Sequence, residues 1–503
     1  MRSAPAVIAT LAIATLALAS CTATDPEPTG GPETPPAGAQ VDPDATVDVG
    51  LVARGDDAEE AARLLAGNVY EGLVRLDDAG ETTPLLADDV AVSDDGLTYT
   101  ITLREGVRFH SGEPLTADDV VASVERAAAD DSAFSGRDDL ARIAAISADG
   151  ERTVTISLTE ASVTFPRALA GVWIARADTP EDVRSEPDGT GPYAVEGQTP
   201  GSSLQLARFE GYWGDAAANG GVTFHLFSDA PALENALVAG AVDIIADQPT
   251  PSAIESLGAN SALVVHEGAS TSAARVAFNA TRAPFADARV RQAVSSAIDD
   301  EAVREAVWGD YGELTGSSVS PDAPWYEDLT SLDPYDPDAA RDLLEEAGAA
   351  RGLRVVLAVE ADSPYVDAAT LIQTQLAEVS VRVDIRELSA DELDAASAND
   401  PEIDAILDEH VDDDGLDTLA DPAASWGYAN PEVSEWVQQS ELVTSAAERA
   451  ELLKLAARGA AEDASSEWLF RVPHIVVASE QVAGYPLRED AGSFFAARIE
   501  KSV

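Results

Sequence analysis

Residues 84–126 read PLLADDVAVSDDGLTYTITLREGVRFHSGEPLTADDVVASVER, and this stretch decides the fold expected around it. Between Leu97 and Leu103 apolar residues alternate with threonines, which predicts a β-strand with one buried face. Aspartate and glycine residues on both sides of that strand predict tight turns and a compact meander. Thr116 and Asp119 have the spacing of a capped helix start, and valines follow at helical intervals. The stretch therefore predicts a well-specified α/β segment.

The order of residues in this stretch is similar to that of the family 5 extracellular solute-binding proteins of ABC importers. Its S-x-D-G-x-x-Y, L-R-x-G-V-x-F-H and T-A-x-D-V-x-x-S patterns lie at residues 93–99, 103–110 and 116–123. Further blocks resemble the same family, at 68–73 (NVYEGL), 189–193 (GTGPY), 211–214 (GYWG), 284–293 (PFADARVRQA) and 426–432 (WGYANPE). The resemblance implies an α/β, bilobed periplasmic-binding-protein fold of the class II type, with an inserted α+β subdomain.

Length and charge limit the possible functions. The 503 residues allow two or three domains and a large core. The net charge of −60, from 91 acidic and 31 basic residues, argues against nucleic acid as a partner, because phosphates need a basic face. A strongly acidic surface is typical of a secreted protein from a high-GC or salt-adapted bacterium.

The first residues predict export and lipidation. Arg2 precedes an apolar run at residues 7–19, which is short for a membrane span, and Leu-Ala-Ser-Cys follows at 18–21. This ending resembles a bacterial lipobox, in which the cysteine thiol accepts the lipid, so Cys21 is the predicted lipidation site. The alternative is an ordinary signal peptide with an incidental cysteine. Cys21 is the only cysteine of the chain, which excludes an intramolecular disulfide and a cysteine-rich metal site.

The resemblance also implies a domain order. After the signal peptide (residues 1–21), residues 22–45 are rich in Pro, Gly and acids and predict a disordered tether. The first lobe would combine residues 46–65, 189–271 and 474–503, where helix and strand patterns predict parallel βαβ units. Residues 66–188 would form the inserted subdomain and residues 272–473 the second lobe.

Seven residues are candidates for contact with a ligand between the lobes. Tyr70 and Glu71 lie at a predicted helix-to-strand corner, with a packed tyrosine and a solvated acid as the alternative. Arg275 precedes a strand end that lies beside the ligand in this family, although a solvated or core-edge arginine is an equal alternative. The acidic stretch 408–414 occupies the place of an aromatic-rich family motif whose aspartate can meet a ligand amino group. The candidates are Tyr70, Glu71, Arg275, Asn279, Asp412, Asp413 and Trp426.

The sequence does not predict a catalytic or metal site. The five histidines show neither H-E-x-x-H nor H-x-H spacing, and no G-x-S-x-G nucleophile motif is present. His410, flanked by acids, is the one plausible metal ligand. We therefore expect a protein that is not an enzyme and needs no cofactor.

The predicted function is a monomeric, lipid-anchored binding protein on the outer face of the cell membrane. It would capture a ligand, with a peptide as the leading candidate, and deliver it to an ABC permease and its ATPase. An acidic cleft would also favour cationic solutes. One alternative is another ligand of the same family, such as a sugar, an opine or a nickel chelate. Another is a lipid-anchored sensor or interaction protein without a transport role.

Overall fold

The computed structural model describes residues 40–53, 57–76, 82–130, 132, 134, 136–179, 184, 186–361, 363–397, 400–411, 416–420, 426–443, 445–488 and 494–502. The predicted lipidation site Cys21, most of the predicted tether, and the candidates Asp412 and Asp413 lie outside these residues. The described residues form 20 strands and 14 helices.

Seven strands of the described chain form a mixed sheet whose central strands pair in parallel. Its order is β12-β18-β11-β1-β10-β9-β8, and β1 pairs in parallel with both β10 and β11. This confirms the parallel units predicted for the region. The strands are β1 (Thr46–Val52), β8 (Tyr193–Thr199), β9 (Ser203–Arg208), β10 (Gly221–Phe227), β11 (Ile244–Ile245), β12 (Leu263–Gly268) and β18 (His474–Ser479). The helices between them are α1 (Asp57–Leu65), α5 (Ala230–Val238) and α6 (Pro251–Gly258).

A second, antiparallel sheet includes the strands formed by residues 84–126. Its order is β4-β5-β7-β6, and β5 buries Tyr99, Ile101 and Leu103 on one face, as the alternation predicted. Helix α2 begins with a capping box between Thr116 and Asp119, which confirms the predicted helix start. The elements of this region are β2 (Val74–Leu76), β3 (Thr82–Pro84), β4 (Ala87–Val92), β5 (Thr98–Leu103), α2 (Ala117–Ala127), α3 (Arg137–Leu140), β6 (Ile143–Ala148), β7 (Thr153–Leu158) and α4 (Phe165–Gly171).

A third sheet has five strands in the described residues, in the order β15-β14-β16-β13-β17. Its strands are β13 (Ser272–Phe278), β14 (Leu353–Glu360), β15 (Val381–Leu388), β16 (Ala405–Val411) and β17 (Ser466–Arg471). The helices of this part are α7 (Ala288–Ser295), α8 (Asp300–Trp308), α9 (Pro337–Glu346), α10 (Tyr365–Glu378), α11 (Ala390–Ser397), α12 (Asp417–Ala420), α13 (Pro431–Ser440) and α14 (Ala446–Glu462). Two short strands, β19 (Val482–Ala483) and β20 (Glu500–Lys501), pair near the end of the chain.

The chain passes between the two larger sheets at two places. One connection, residues 269–271, joins β12 to β13, and the other, residues 472–473, joins β17 to β18. The four-stranded sheet lies between β1 and β8 in the chain, so its only chain connections lead to the seven-stranded sheet. Each sheet falls within one predicted domain, and the domain bounds themselves stay a prediction.

Candidate ligand-binding site

A cleft of about 580 Å³ lies where the two connections cross between the larger sheets. This volume is within the range of small-molecule pockets, roughly 300–1,000 Å³. Both sides of the cleft contribute walls. One wall consists of residues 247–249, which follow β11, and the connections themselves line the floor. The opposite wall comes from β13, β16 and the starts of α10 and α11.

Arg275 lines this cleft, and its charge is matched by a neighbour on the next strand. Its Nε donates to Oδ1 of Asp408 at 2.9 Å, and its Nη2 donates to Oδ2 at 3.3 Å. The guanidinium carbon also lies 5.4 Å from the centre of the Trp468 ring. A guanidinium held on two sides in this way is oriented and partly neutralised before any ligand arrives.

Tyr365 and Glu409 form a second polar pair in the same wall. The Tyr365 hydroxyl donates to Oε1 of Glu409 at 2.7 Å. Burial, together with the neighbouring Glu409 carboxylate, raises the pKa of Tyr365 well above its ordinary value. The tyrosine therefore stays a neutral donor, and Glu409 adds a negative charge to the cleft.

The wall near the crossing connections carries Asp247 and His474. Their nearest polar atoms, His474 Nδ1 and Asp247 Oδ1, are 3.4 Å apart, and His474 is buried. His474 Nε2 is also buried, and no hydrogen-bond partner for it is present among the described residues. A buried ring nitrogen in the wall of a cleft can form a hydrogen bond to a ligand that enters it.

Trp426 lines the cleft with an unusual backbone conformation. Its φ angle is +72°, in the left-handed region that non-glycine residues rarely adopt. Its carbonyl accepts a hydrogen bond from the Ala280 amide at 2.9 Å, which holds this conformation. Such strain persists where the surroundings over-determine it, and it is common at ligand sites.

Asn279 follows β13 but does not line the cleft. Its side-chain oxygen accepts hydrogen bonds from the amide and the hydroxyl of Thr281, at 3.2 and 2.5 Å. Its own amide donates to the Asp404 carbonyl at 3.0 Å. These contacts shape the turn after the strand, and a ligand contact by Asn279 stays a prediction.

Tyr70 and Glu71 are buried where the four-stranded and seven-stranded sheets meet, and they do not line the cleft. The Tyr70 ring stacks on Trp173 with ring centres 5.2 Å apart, and its hydroxyl accepts from the Asp188 amide at 3.2 Å. The Glu71 carboxylate accepts from a threonine, a tyrosine and a tryptophan, at 2.8–2.9 Å; these donors are Thr190, Tyr212 and Trp213.

Burial raises the pKa of Glu71, and the three hydrogen bonds oppose that rise. The arrangement satisfies every oxygen of a buried acid, so it supports the junction between the two sheets. A ligand contact by Tyr70 or Glu71 stays a prediction.

The cleft has an excess of negative charge. Four carboxylates line it, against one guanidinium, that of Arg275; the acids are Asp247, Glu360, Asp408 and Glu409. The described lining of the cleft is therefore negative by formal charge. No group of three metal-ligating side chains is placed to hold a metal ion in the part of the chain that the structure describes.

Two candidates from the sequence, Arg275 and Trp426, line the cleft, and so do Asp408 and Glu409 of the acidic stretch 408–414. The sequence did not indicate Asp247, Tyr365 or His474. His474 was noted only as one of five histidines, and Tyr365 only as the start of a helix. Neither residue carries a local motif that indicates a ligand. His410, the candidate metal ligand, lies beside the Trp468 ring at 5.5 Å.

The family described as bacterial extracellular solute-binding proteins, family 5 Middle, matches residues 81–430, which is well over half of the chain. The chain belongs to this family. The resemblance inferred from the motifs is therefore confirmed, and so is the prediction of a binding protein rather than an enzyme, because the members of this family are solute-binding proteins.

Two curated relatives illustrate the range of the family. This family 5 protein is 29% identical over 355 residues to di/tripeptide-binding protein 1 of Pseudomonas aeruginosa, covering 64% of this chain and 65% of the relative. It is 29% identical over 313 residues to heme-binding protein A of Haemophilus influenzae, covering 56% and 57% of the two chains. The chain thus spans about two thirds or less of the length of these relatives.

Solved structures establish the fold. The substrate-binding protein CtaP of Listeria monocytogenes superimposes with a TM-score of 0.79 at 20% identity, covering 90% of this chain and 99% of the other. The predicted bilobed fold of this family 5 protein is confirmed by that similarity. Among the described helices, none combines the length and the apolar character that a membrane span needs.

Proposed function

We propose that this protein is a lipid-anchored, extracytoplasmic receptor that captures a short peptide between two lobes and delivers it to an ABC importer. The observation that carries the proposal is the cleft of about 580 Å³ at the two crossing connections, where closure of the lobes would enclose a ligand. The domains would have the bounds given above, with residues 66–188 inserted into the first lobe. The receptor would act as a monomer on a permease that an ATPase drives.

A peptide is supported by the chemistry of the cleft and by one relative. Carboxylates accept hydrogen bonds from an ammonium group and from backbone amides, and the Pseudomonas relative is named for di- and tripeptides. Among the described residues that line the cleft, four carboxylates stand against one guanidinium, so the lining carries a net negative formal charge. We therefore expect peptides with basic side chains to bind more tightly than acidic peptides.

The runner-up is a non-peptide solute. Strand β16 carries Asp408, Glu409 and His410 in the stretch where the family resemblance implies an aromatic-rich motif. A non-peptide solute is also supported by the relative from Haemophilus influenzae, which is named for heme binding. A sugar, an opine, a nickel chelate, or a sensing role without transport remain the alternative proposals.

The experiment combines native mass spectrometry of small molecules retained by the purified protein with thermal unfolding in the presence of defined pools. Lysine-rich, neutral and glutamate-rich tripeptide pools would be compared at equal concentration. At 100 times the Kd a ligand stabilises the folded state by about 2.7 kcal/mol, so a true ligand raises the Tm measurably. A rise with the lysine-rich pool supports the proposal, whereas a rise with sugars or nickel–histidine alone supports the runner-up.

The lipid anchor has its own test. A globomycin-type inhibitor of lipoprotein signal peptidase should leave an unprocessed precursor, and Cys21→Ser should move the protein from the detergent phase to the aqueous phase. Normal processing in the presence of the inhibitor would contradict the anchor and leave the binding function untouched.

A further inference from the structure

A pair of charged side chains joins the four-stranded sheet region to the part of the chain that contains the five-stranded sheet. Arg142 precedes β6, and its Nη2 lies 3.4 Å from Oε2 of Glu441, the residue that follows α13. Both side chains are mostly buried, with 21% and 25% of their surfaces exposed. We call this contact the inter-lobe ion pair.

The four-stranded sheet region is attached to the first lobe. Its chain connections lead only to the seven-stranded sheet, and the buried Glu71 network joins the two at their junction. Thr190 lies just before β8 and Tyr212 lies just after β9, and both of these strands belong to the seven-stranded sheet. The region containing Arg142 is therefore attached to the first lobe both by the chain and by this buried network.

Glu441 belongs to the second lobe. It follows α13, which packs on α14, and Arg449 of α14 lies 3.7 Å from its Oε1. The Arg449 guanidinium lies 5.1 Å from the centre of the Trp325 ring and is buried. These contacts hold Glu441 in place on the second lobe, in a position where it pairs with Arg142 of the first.

Arg142 lies among acidic side chains of both lobes. Two acids of its own region also face it, Asp139 at 3.6 Å and Glu160 at 3.4 Å. Its backbone carbonyl accepts from the Thr159 amide at 2.8 Å, which fixes the position of the residue. Without the guanidinium, these two carboxylates and Glu441 would repel one another across the gap between the lobes.

We propose that the inter-lobe ion pair holds the closed arrangement of the two lobes and sets how often the ligand-free protein opens. Arg142 is joined covalently to the second lobe only through the first lobe and the crossing connections, so a movement that separates Arg142 from Glu441 meets no covalent restraint between them and would break this contact. Partly exposed ion pairs shift an equilibrium by up to about fivefold, and the carboxylates that would be left facing one another add to that effect. The proposal rests on the proposed movement of two lobes but not on the identity of the solute.

The test measures lobe separation in the ligand-free, full-length protein by single-molecule fluorescence transfer. Cys21→Ser leaves no cysteine in the chain, so Val92→Cys and Leu455→Cys give one label on each lobe at exposed positions. Arg142→Gln and Glu441→Gln should each raise the open-to-closed ratio about two- to fivefold. The double variant should not exceed the larger single effect by more than experimental error, because both changes remove the same contact.

Two further variants make the result decisive. Arg152→Gln removes an arginine from the same sheet region whose partner, Glu105, lies in that region too, at 3.4 Å, so it should leave the ratio unchanged. Arg142→Lys keeps a cation beside Glu441 and the two neighbouring acids, so it should retain more of the closed population than Arg142→Gln does. Three outcomes would overturn the proposal. They are an unchanged open-to-closed ratio in Arg142→Gln, a change of the same size in Arg152→Gln, and a change that occurs in Glu441→Gln alone. These outcomes are independent of the peptide assay, because no solute is added.

Discussion

Arg275 and Asp408 stand opposite each other on the paired strands β13 and β16, and their side chains join through two hydrogen bonds of 2.9 and 3.3 Å. The sequence separates them by 133 residues, and only the antiparallel register brings them together. Because the ion pair lies in the wall of the cleft, it limits the charge that Arg275 can offer to a ligand. The arginine acts as an oriented, partly neutralised group.

Separating this pair should change the charge preference of the cleft. In Asp408→Asn the guanidinium loses its counter-charge, so we expect binding of the glutamate-rich peptide pool to strengthen about tenfold relative to the lysine-rich pool. Arg275→Gln should shift the preference in the opposite direction. Calorimetric titration with each pool measures the ratio.

Asp384→Asn is the matched control for that experiment, because Asp384 pairs with Arg354 on the same sheet but does not line the cleft. Equal changes in Asp408→Asn and Asp384→Asn would show that the effect comes from the total charge of the protein. No change in Asp408→Asn would contradict a role for the pair in selection.

Loss of the Glu71 carboxylate should destabilise the protein. Glu71→Ala leaves the donors of Thr190, Tyr212 and Trp213 without their acceptor in a buried site, and we expect a cost of about 3 kcal/mol or more. Urea unfolding measures this cost, with Glu196→Gln as a control on the exposed carboxylate of β8. If Glu71→Gln instead kept full stability and lost peptide binding, the predicted ligand contact would be supported.

Stability should fall with rising pH because of a buried acid pair. Burial, reinforced by the nearby Asp333 carboxylate, raises the pKa of Glu467 on β17 from 4.5 to about 8. Burial, reinforced by Glu467, also raises the pKa of Asp300. Since the folded state holds the Glu467 proton that the unfolded chain releases above about pH 4.5, this stabilisation is complete below that pH and is lost as the pH rises through 8.

The measurement is the Tm as a function of pH for the wild-type protein and for Glu467→Gln. Each pKa unit corresponds to about 1.4 kcal/mol, so the wild-type curve should fall more steeply between pH 5 and 8, and the variant should be the more stable protein at pH 9. Glu196→Gln should follow the wild-type curve. Parallel curves for wild type and Glu467→Gln would contradict the shifted pKa.

Trp426 should contribute more to binding than to stability. Trp426 has a left-handed backbone, which costs a residue with a Cβ atom about 1–2 kcal/mol. Trp426→Gly removes this cost, and the gain in stability offsets part of the stability lost with the packing of the indole ring. We expect a small change in Tm and a loss of ligand affinity of about tenfold, while Trp426→Phe retains most of the affinity.

Ser380→Gly provides the comparison for Trp426, because Ser380 also has a positive φ, of +66°, in a turn that does not line the cleft. It should raise the Tm without changing affinity. A Trp426→Gly variant with unchanged affinity would contradict a ligand contact by the indole.

The local elements were predictable because their causes are local. The alternation of residues 97–103 forms β5, and Thr116 with Asp119 caps α2, because period 2 and a capping box act within a few residues. The motif blocks around them indicated the family and therefore the bilobed fold. The charge of −60 indicated an acidic surface.

The site was only partly predictable because its residues meet through long-range pairing. Arg275 and Trp426 were found through motifs, and both line the cleft. Tyr70 and Glu71 were found through a motif as well, yet the structure buries them at a junction between sheets. The NVYEGL pattern is the same in either setting, so the sequence does not show whether Glu71 meets a ligand or three buried donors.

The sequence by itself thus determined the family, the strand and helix starts, and the sign of the charge. The tertiary structure decided that Asp408 neutralises Arg275, that Asp247 and His474 face the cleft together, and that Arg142 meets Glu441. The physical reason is that ion pairs and hydrogen bonds act over a few ångströms in space. Their partners lie in distant segments, and only sheet register and domain packing decide which of 91 acidic residues each cation meets.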